Sequence, residues 1–337
     1  MLGGSVGGLM AARALAKHFQ KVTLLERDTF PAAATLRKGI GQGAHVHVLL
    51  LGGLRAMESQ FPGLRGELIA EGAVPIEVDR ELDWLTPAGW APSQGSDVVM
   101  VTFSRELLDH ILLRRLRRLS NVEIRDGVEI AGPEDLQADL IVDATGRASK
   151  LPQWLERLGY PAPAEIRVNA RLGYASRFYE GVSLPRKGLF VQMNPPSSVR
   201  AGVLFPVQGG RWLASLAGGG GDYPPADDAE FLEFARTLPT PRFYDAIRNA
   251  TPVSPVRVYR ATENRWRQYH RLDRHPPNLI ALGDAMCAFN PVYAQGMTVA
   301  AQCAHALDRC LRDGHADLPA RYYAKAARVV ETSWMLA

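Results

Sequence analysis

Gly3-Gly4-Ser5-Val6-Gly7-Gly8, the Ala- and Leu-rich run from Leu9 to Phe19, and then Val22-Thr23-Leu24-Leu25-Glu26 form the stretch that decides the fold. The middle run has helical periodicity, and the short apolar segment ending on Glu26 reads as a buried parallel strand. Turn, helix and strand in that order open a doubly wound α/β unit. The glycine spacing follows the dinucleotide fingerprint G-x-G-x-x-G, in which the first glycine makes a tight turn, the second lets backbone approach a pyrophosphate and the third lets helix and strand pack closely. Ser5 stands at the second position and is small enough to keep that approach open. The helix that follows offers unpaired N–H groups and a positive dipole end to phosphates. Glu26 lies 18 residues beyond Gly8, at the end of the next strand, where a carboxylate accepts hydrogen bonds from an adenosine ribose. Such a unit places a strand before its turn; only Met1-Leu2 precede this one, so a short N-terminal piece is expected to be missing from the sequence.

Two further glycine turns lie at expected strand ends. Asp139 to Thr145 (DLIVDAT) runs into Gly146, and Asn278 to Leu282 (NLIAL) runs into Gly283-Asp284-Ala285. The second is followed by Asn290-Pro291-Val292-Tyr293-Ala294-Gln295-Gly296-Met297. Each brings an aspartate to the C-terminal edge of a parallel sheet, where ligands sit in such folds. Singly, Asp143 or Asp284 reads equally well as a cap on whatever follows its strand. Three such turns in this order point to a ligand crevice. Helices are expected over Leu49 to Phe61, Arg105 to Leu119 (with Ser104 as N-cap), Val292 to Leu311 and Ala316 to Leu336. From Pro161 the texture changes to strands without helices: Arg167 to Tyr179, Leu189 to Met193, Gly202 to Val207 and Arg211 to Leu216, the pattern of an antiparallel sheet. The expected class is α/β: a Rossmann-like domain over residues 1–76, 98–160 and 274–337, into which an antiparallel β-sheet substrate domain (77–97 and 161–273) is inserted.

Composition narrows the function classes. The 337 residues are 47% hydrophobic and 22% charged, as in ordinary globular proteins, which excludes a disordered tail protein, a collagen-like repeat and a coiled coil. A formal charge of +4 is too small a surplus to argue for nucleic acid. No apolar run is long enough for a membrane-spanning helix. Cys287, Cys303 and Cys310 are too few for a disulfide framework, and the first residues lack the form of a secretory signal. Buried thiols in a reducing cytoplasm are expected. His45 and His47, two apart with no nearby Cys or Asp, make poor metal geometry; no metal site is expected, and a structural or cofactor-loop role is. Arg114 to Arg118 reads as a solvated helix end. Trp84, Trp90, Phe190, Phe205 and Trp212 are expected in a core, whereas Leu189, Val191, Leu204 and Leu213 are expected to cover the ligand.

GGSVGGL with Glu26, SRELLD (Ser104 to Asp109), DLIVDATGR and GDAMCAFNPVYAQGM together resemble the flavoprotein monooxygenases related to para-hydroxybenzoate hydroxylase. Within that group the sequence is most similar to bacterial epoxidases and hydroxylases of polyketide and terpenoid pathways, including the polyether epoxidases. The resemblance also takes in RKGIGQGAHVHVLL and LGYASRFYE and covers nearly the whole chain. It implies FAD as cofactor, with Gly3, Ser5 and Gly8 cradling the pyrophosphate, Glu26 on the adenosine ribose and Arg105 reaching phosphate and ribose. Asp284 would hold the ribityl chain, and Gly296 and Met297 would aim backbone N–H groups at the flavin ring carbonyl. Asn290 and Pro291 would lie along the ring face where oxygen reacts. Asp143 and Gly146 belong to the motif this family associates with FAD and the nicotinamide donor. The implied chemistry is monooxygenation of an apolar small molecule by O2 through a flavin hydroperoxide, with electrons from NADPH or NADH, direct or through a separate flavin reductase. Alkene epoxidation needs no protein base, and none stands out. Two other readings use the same glycine turns: a flavin-dependent reductase of isoprenoid double bonds, like geranylgeranyl reductase, and a non-catalytic FAD-binding protein. The W-x-W-x-I-P signature of flavin halogenases is not found. The stretch from Val128 to Ala138 is shorter than the hairpin the family carries there, and the end at Ala337 comes early for it.

Overall fold

A computed structural model describes residues 1–336. The parallel sheet forms around the opening residues. Val22–Leu25 pairs with Val122–Arg125, and Leu279–Ala281 pairs with Ile141–Asp143, both in parallel. Leu2 bridges the two pairs, lying parallel to Leu25 on one side and to Asp143 on the other. Its N–H donates to Val142 O at 2.9 Å, and its carbonyl accepts Ala144 N–H at 2.8 Å. Residues of all four strands except Thr23, Glu123, Arg125 and Asp143 fall in one apolar core or pack against it.

Helices cover this sheet. Val6–Leu15 packs against Gly296–Arg312, and glycine sets the approach: a Cβ on Gly7 would lie 3.7 Å from Ala300 Cβ. Leu318–Trp334 packs alongside, where Tyr323 accepts the N–H of Ala281 through its hydroxyl at 2.7 Å. The helix Arg105–Arg117 starts after Ser104, but that hydroxyl does not cap it; Gln208 donates to it instead. The arginines at the other end are not simply solvated, because Arg114 and Arg115 bind Glu67 of the Leu64–Ala70 helix.

The second sheet is large and almost wholly antiparallel. Its order runs from Thr251–Pro252 through Gly173–Glu180, Trp212–Gly218, Arg200–Pro206 and Gly188–Val191 to Leu82–Thr86 and Gly89–Trp90. Arg257–Tyr259 also pairs with Gly173–Glu180, and the contact of Gly188–Val191 with Leu82–Thr86 is the parallel one. The expected strand from Arg167 to Tyr179 is in fact two, parted at Arg171, which adopts φ +46°. The earlier piece, Glu165–Val168, joins Asn264–Arg267 and Cys287–Ala288 in a separate three-stranded sheet.

Side chains alternate across a strand, so each residue of the large sheet belongs to one face. Leu189, Val191, Leu204, Ala214 and Leu216 form a core with Phe231, Phe234, Phe243 and Ile247 of the two helices Asp228–Arg236 and Arg242–Ile247. Asp227 caps the first of these helices by accepting Ala229 N–H at 2.9 Å and Glu230 N–H at 3.1 Å. The opposite face carries Phe190, Val203 and Phe205, which pack with Leu82, Trp84 and Met100. This reverses the expectation for Leu189, Val191 and Leu204, which face the covering helices; Leu213 packs instead with Phe178 and Val207. A period of two fixes which residues share a face but not which face is covered. Apolar residues occupy both faces here, so pattern alone left the choice open.

Candidate cofactor and substrate site

Two cavities open beside the glycine turns. One, of about 410 Å³, is lined by Gly3, Gly4, Glu26, Arg37, Arg147 and Tyr259. The other, of about 530 Å³, runs between the start of the Gly296–Arg312 helix and the apolar face of the large sheet. They meet at Ser5, Gln42, Gly146 and Asp284, which line both.

The first glycine turn is built by close approach. Gly3 has φ +91°, and a Cβ there would sit 2.4 Å from Ala144 O. A Cβ on Gly8 would sit 1.8 Å from Gly3 O. Ser5 is the N-cap of the first helix, yet its hydroxyl bonds no helix N–H and instead accepts from Arg105 at 2.7 Å. The first-turn N–H groups therefore have no side-chain cap, and Ser5, Val6 and Gly7 line the larger cavity. Such a helix start fits an anion.

Charge gathers at this turn. Arg105 is buried and bonds Asp109 at 3.0 Å. Glu26 accepts the N–H of Gly4 at 2.5 Å and of Asp28 at 3.0 Å. Arg37 was not singled out by sequence reasoning. It donates to Gly4 O at 2.8 Å, lies 3.4 Å from Glu26 and stacks over Phe30 at 4.7 Å. Its only sequence signal is its place at the head of the RKGIGQG stretch.

The two aspartates at strand ends have different fates. Asp143 is fully buried and spends its carboxylate on its own turn, accepting from Thr145 N–H at 2.9 Å, the Thr145 hydroxyl at 2.6 Å and the Ser149 hydroxyl at 2.5 Å. That is the capping geometry. The cavity wall there comes from Ala144 and from Gly146, which takes φ +80°. Asp284 faces both cavities. Burial pushes its carboxyl above the usual range, opposed by Arg147, Arg105 and Arg265.

The segment after Asp284 turns back on itself. Asn290 is buried and does not itself line either cavity: its Oδ1 accepts the Tyr174 hydroxyl and, at 3.1 Å, Val292 N–H. Pro291, Val292, Tyr293, Ala294, Gly296 and Met297 line the larger cavity. Ala294 takes φ +52°, a left-handed conformation that costs a non-glycine residue roughly 1–3 kcal/mol and persists only where surroundings enforce it. Gly296 then starts its helix with no side-chain cap, so N–H groups are again free.

The sheet side of the larger cavity is mostly apolar. Trp84 and Phe190 stack at 5.7 Å, and Phe205, Val203, Val99, Met100 and Leu82 complete the wall. Three of the five aromatics expected in a core, Trp84, Phe190 and Phe205, thus line the cavity. Trp90 is exposed under Arg242, and Trp212 packs toward the covering helices. His45 and His47 line the cavity too. His45 Nδ1 shares a 2.7 Å hydrogen bond with the Ser176 hydroxyl, and its Nε2 has no partner. His47 Nδ1 donates to His45 O at 2.8 Å. Burial lowers His45 to about 4; burial, with Arg105 nearby, lowers His47 to about 3. Both rings are neutral at pH 7. Asp284 is the only acid that lines this cavity among the described residues. Among the described residues no group of His, Cys, Asp or Glu could hold a metal, and all three cysteines are buried and free. No described helix is long and apolar enough to cross a membrane.

Solved structures share this fold. PqsL of P. aeruginosa superposes with a TM-score of 0.70 over 98% of this chain and 92% of its own, at 18% identity. The oxygenase of 2-methyl-3-hydroxypyridine-5-carboxylic acid gives 0.68 over 97% and 85%, at 20% identity. The flavin-dependent brominase Bmp2 gives 0.72 over 97% and 82%, at 14% identity. No family model matches the chain. The fold is that of the FAD-dependent monooxygenases of the para-hydroxybenzoate hydroxylase-like group. Protein Rv3254 of Mycobacterium tuberculosis (strain ATCC 25618 / H37Rv) is 31% identical over all of this chain and 78% of its own length, and the chain belongs to that protein's family.

Proposed function

We propose that the protein is an FAD-dependent monooxygenase that inserts one oxygen atom into an apolar small molecule. The observation that carries this reading is the continuity of the two cavities. A polar one, with Glu26, Arg37 and Arg147, opens at Asp284 into a largely apolar one that runs past the uncapped helix start and Arg105 to the segment from Pro291 to Met297. In this reading Gly3, Ser5 and Gly8 shape the cradle in which first-turn N–H groups hold the FAD pyrophosphate, as the tight contacts at Gly3 and Gly8 favour. Arg105 holds phosphate and ribose. Glu26 takes the adenosine ribose, Asp284 the ribityl hydroxyls, and the N–H groups of Gly296 and Met297 the ring carbonyl. Pro291 shapes the ring face, and Asn290 fixes Pro291 from behind. Asp143 acts indirectly, by holding the turn that presents Gly146.

Bound and reduced, FAD supplies oxygen-activating chemistry. The chain's own part is to bind, to orient and to keep water out, which the Trp84, Phe190 and Phe205 wall suits. NADPH or NADH provides two electrons, direct or through a separate flavin reductase; one atom of O2 enters the product and the other leaves as water. The sheet-side wall carries neither a carboxylate nor a cationic side chain among the described residues, which favours an uncharged substrate, epoxidised or hydroxylated, such as a polyketide or isoprenoid intermediate. Two measurements test this. Heat denaturation of the purified yellow protein should release FAD; FMN or no flavin overturns the reading. Turnover of a polyene under 18O2, with NADPH and a flavin reductase, should give a product heavier by one labelled oxygen. A product that gains only hydrogen, equally well without oxygen, makes the protein a double-bond reductase.

A further inference from the structure

The loop that carries Pro291 to Met297 is held at both ends by residues outside the glycine motifs. At its far end, Gln295 Oε1 accepts the Ser333 hydroxyl of the last helix at 3.3 Å. At its near end, Asn290 N–H donates to Asn264 Oδ1 at 2.6 Å, and Asn290 Oδ1 takes both Val292 N–H and the Tyr174 hydroxyl. Tyr174 comes from the large sheet, where it sits between Ala217 and Tyr259 in register. Its ring packs beside His45, 6.1 Å between centroids, and it lines the larger cavity. One buried hydroxyl therefore ties the sheet wall to the turn that leads into the Gly296 helix start.

We propose that Tyr174 is a positioning residue: acting through Asn290, it sets the placement of the Pro291 to Met297 segment and so the aim of the N–H groups of Gly296 and Met297. The inference rests on the FAD reading above. The strain at Ala294 gives it physical content, because a left-handed alanine relaxes when the contacts that enforce it are removed. Tyr174→Phe keeps the ring and removes only the hydroxyl, so Asn290 Oδ1 retains Val292 N–H but loses its tie to the sheet.

The test uses the full chain loaded with FAD and sulfite as probe. Sulfite adds to the oxidised ring, and the adduct leaves negative charge that a helix N-terminus stabilises. Tyr174→Phe should bind FAD with nearly unchanged affinity, while sulfite binds about five- to tenfold more weakly, read from bleaching of the visible flavin band. Asn290→Ala should weaken sulfite binding as much, and Tyr174→Phe in that background should add nothing, since both changes break one link. Unchanged sulfite affinity in Tyr174→Phe overturns the proposal and leaves the FAD reading intact, as do effects of the two substitutions that simply add. A wild-type chain that holds no FAD overturns both.

Discussion

The two cavities that meet at Asp284 are walled by different kinds of structure. The smaller is made of turns: Gly3 to Ser5, Glu26, Gly146 and Arg147 all sit at strand ends or helix starts. Each is placed by a local constraint, such as the positive φ at Gly3 or the 2.4 Å that a Cβ there would leave to Ala144 O. The larger cavity takes its sheet-side wall from Leu82, Trp84, Phe190, Val203 and Phe205, which are placed by register alone. Turn-built walls tolerate little change and bind what is constant; register-built walls accept other side chains and bind what varies.

The largest effect that separates the two belongs to Gly8→Ala. A Cβ 1.8 Å from Gly3 O meets backbone, which no rotamer change relieves. We expect a stability loss of about 3 kcal/mol or more, seen as a lower Tm, and loss of FAD binding in a fluorescence titration. Normal FAD affinity would mean that the turn is not a cradle. Next comes the face assignment of the large sheet. Leu189→Ala should cost about 2–5 kcal/mol in urea unfolding, because Leu189 is fully buried beneath the helices. Phe190→Ala should cost about 1 kcal/mol and leave FAD affinity unchanged while altering which substrates turn over. Equal losses would erase the contrast between the faces. Asp284→Ala, at the junction, should weaken FAD by about 1.5–3 kcal/mol through loss of a charged acceptor; unchanged affinity would return Asp284 to a capping role like that of Asp143.

The effect that vanishes at neutral pH is one of titration. His45 and His47 have folded pKa values of about 4 and about 3, both below the ordinary 6.5, so between these limits the unfolded chain binds protons that the folded one refuses. Their contribution to stability is complete above pH 6.5 and is lost as pH falls through that window, each adding up to about 1.4 kcal/mol per pH unit to the slope. Unfolding midpoints of His45→Gln and His47→Gln should depend less steeply on pH than those of the wild type. An identical slope in both variants would place these rings in contact with bulk water.

What was legible in the sequence follows the same division. The three glycine turns, the strands before them and the placement of Ser5, Glu26, Arg105 and Asp284 beside the cavities could be read because glycine and charge at a strand end have few explanations. The hydrogen bond that holds Asn290 could not be read from its segment, since its partner Tyr174 lies over a hundred residues earlier. Arg37 went unmarked because an arginine in a loop carries no periodicity. The faces of Leu189 and Phe190 were interchanged because both are apolar, and only the helices from Asp228 to Ile247 decide which is covered.

Leu279–Ala281 closes the parallel sheet by pairing with Ile141–Asp143, and all of the large sheet except Leu82–Thr86 and Gly89–Trp90 lies between them in the chain. Contacts this distant in sequence carry a large loop-closure cost and slow the search for the native pairing. During synthesis the Gly3 to Gly8 turn precedes Asp284 and Gly296, which lie on the opposite side of the same crevice. In the proposed reading a nucleotide that touches both sides is held only once the intervening sheet has been made, and free FAD during refolding should raise the yield by trapping that closure.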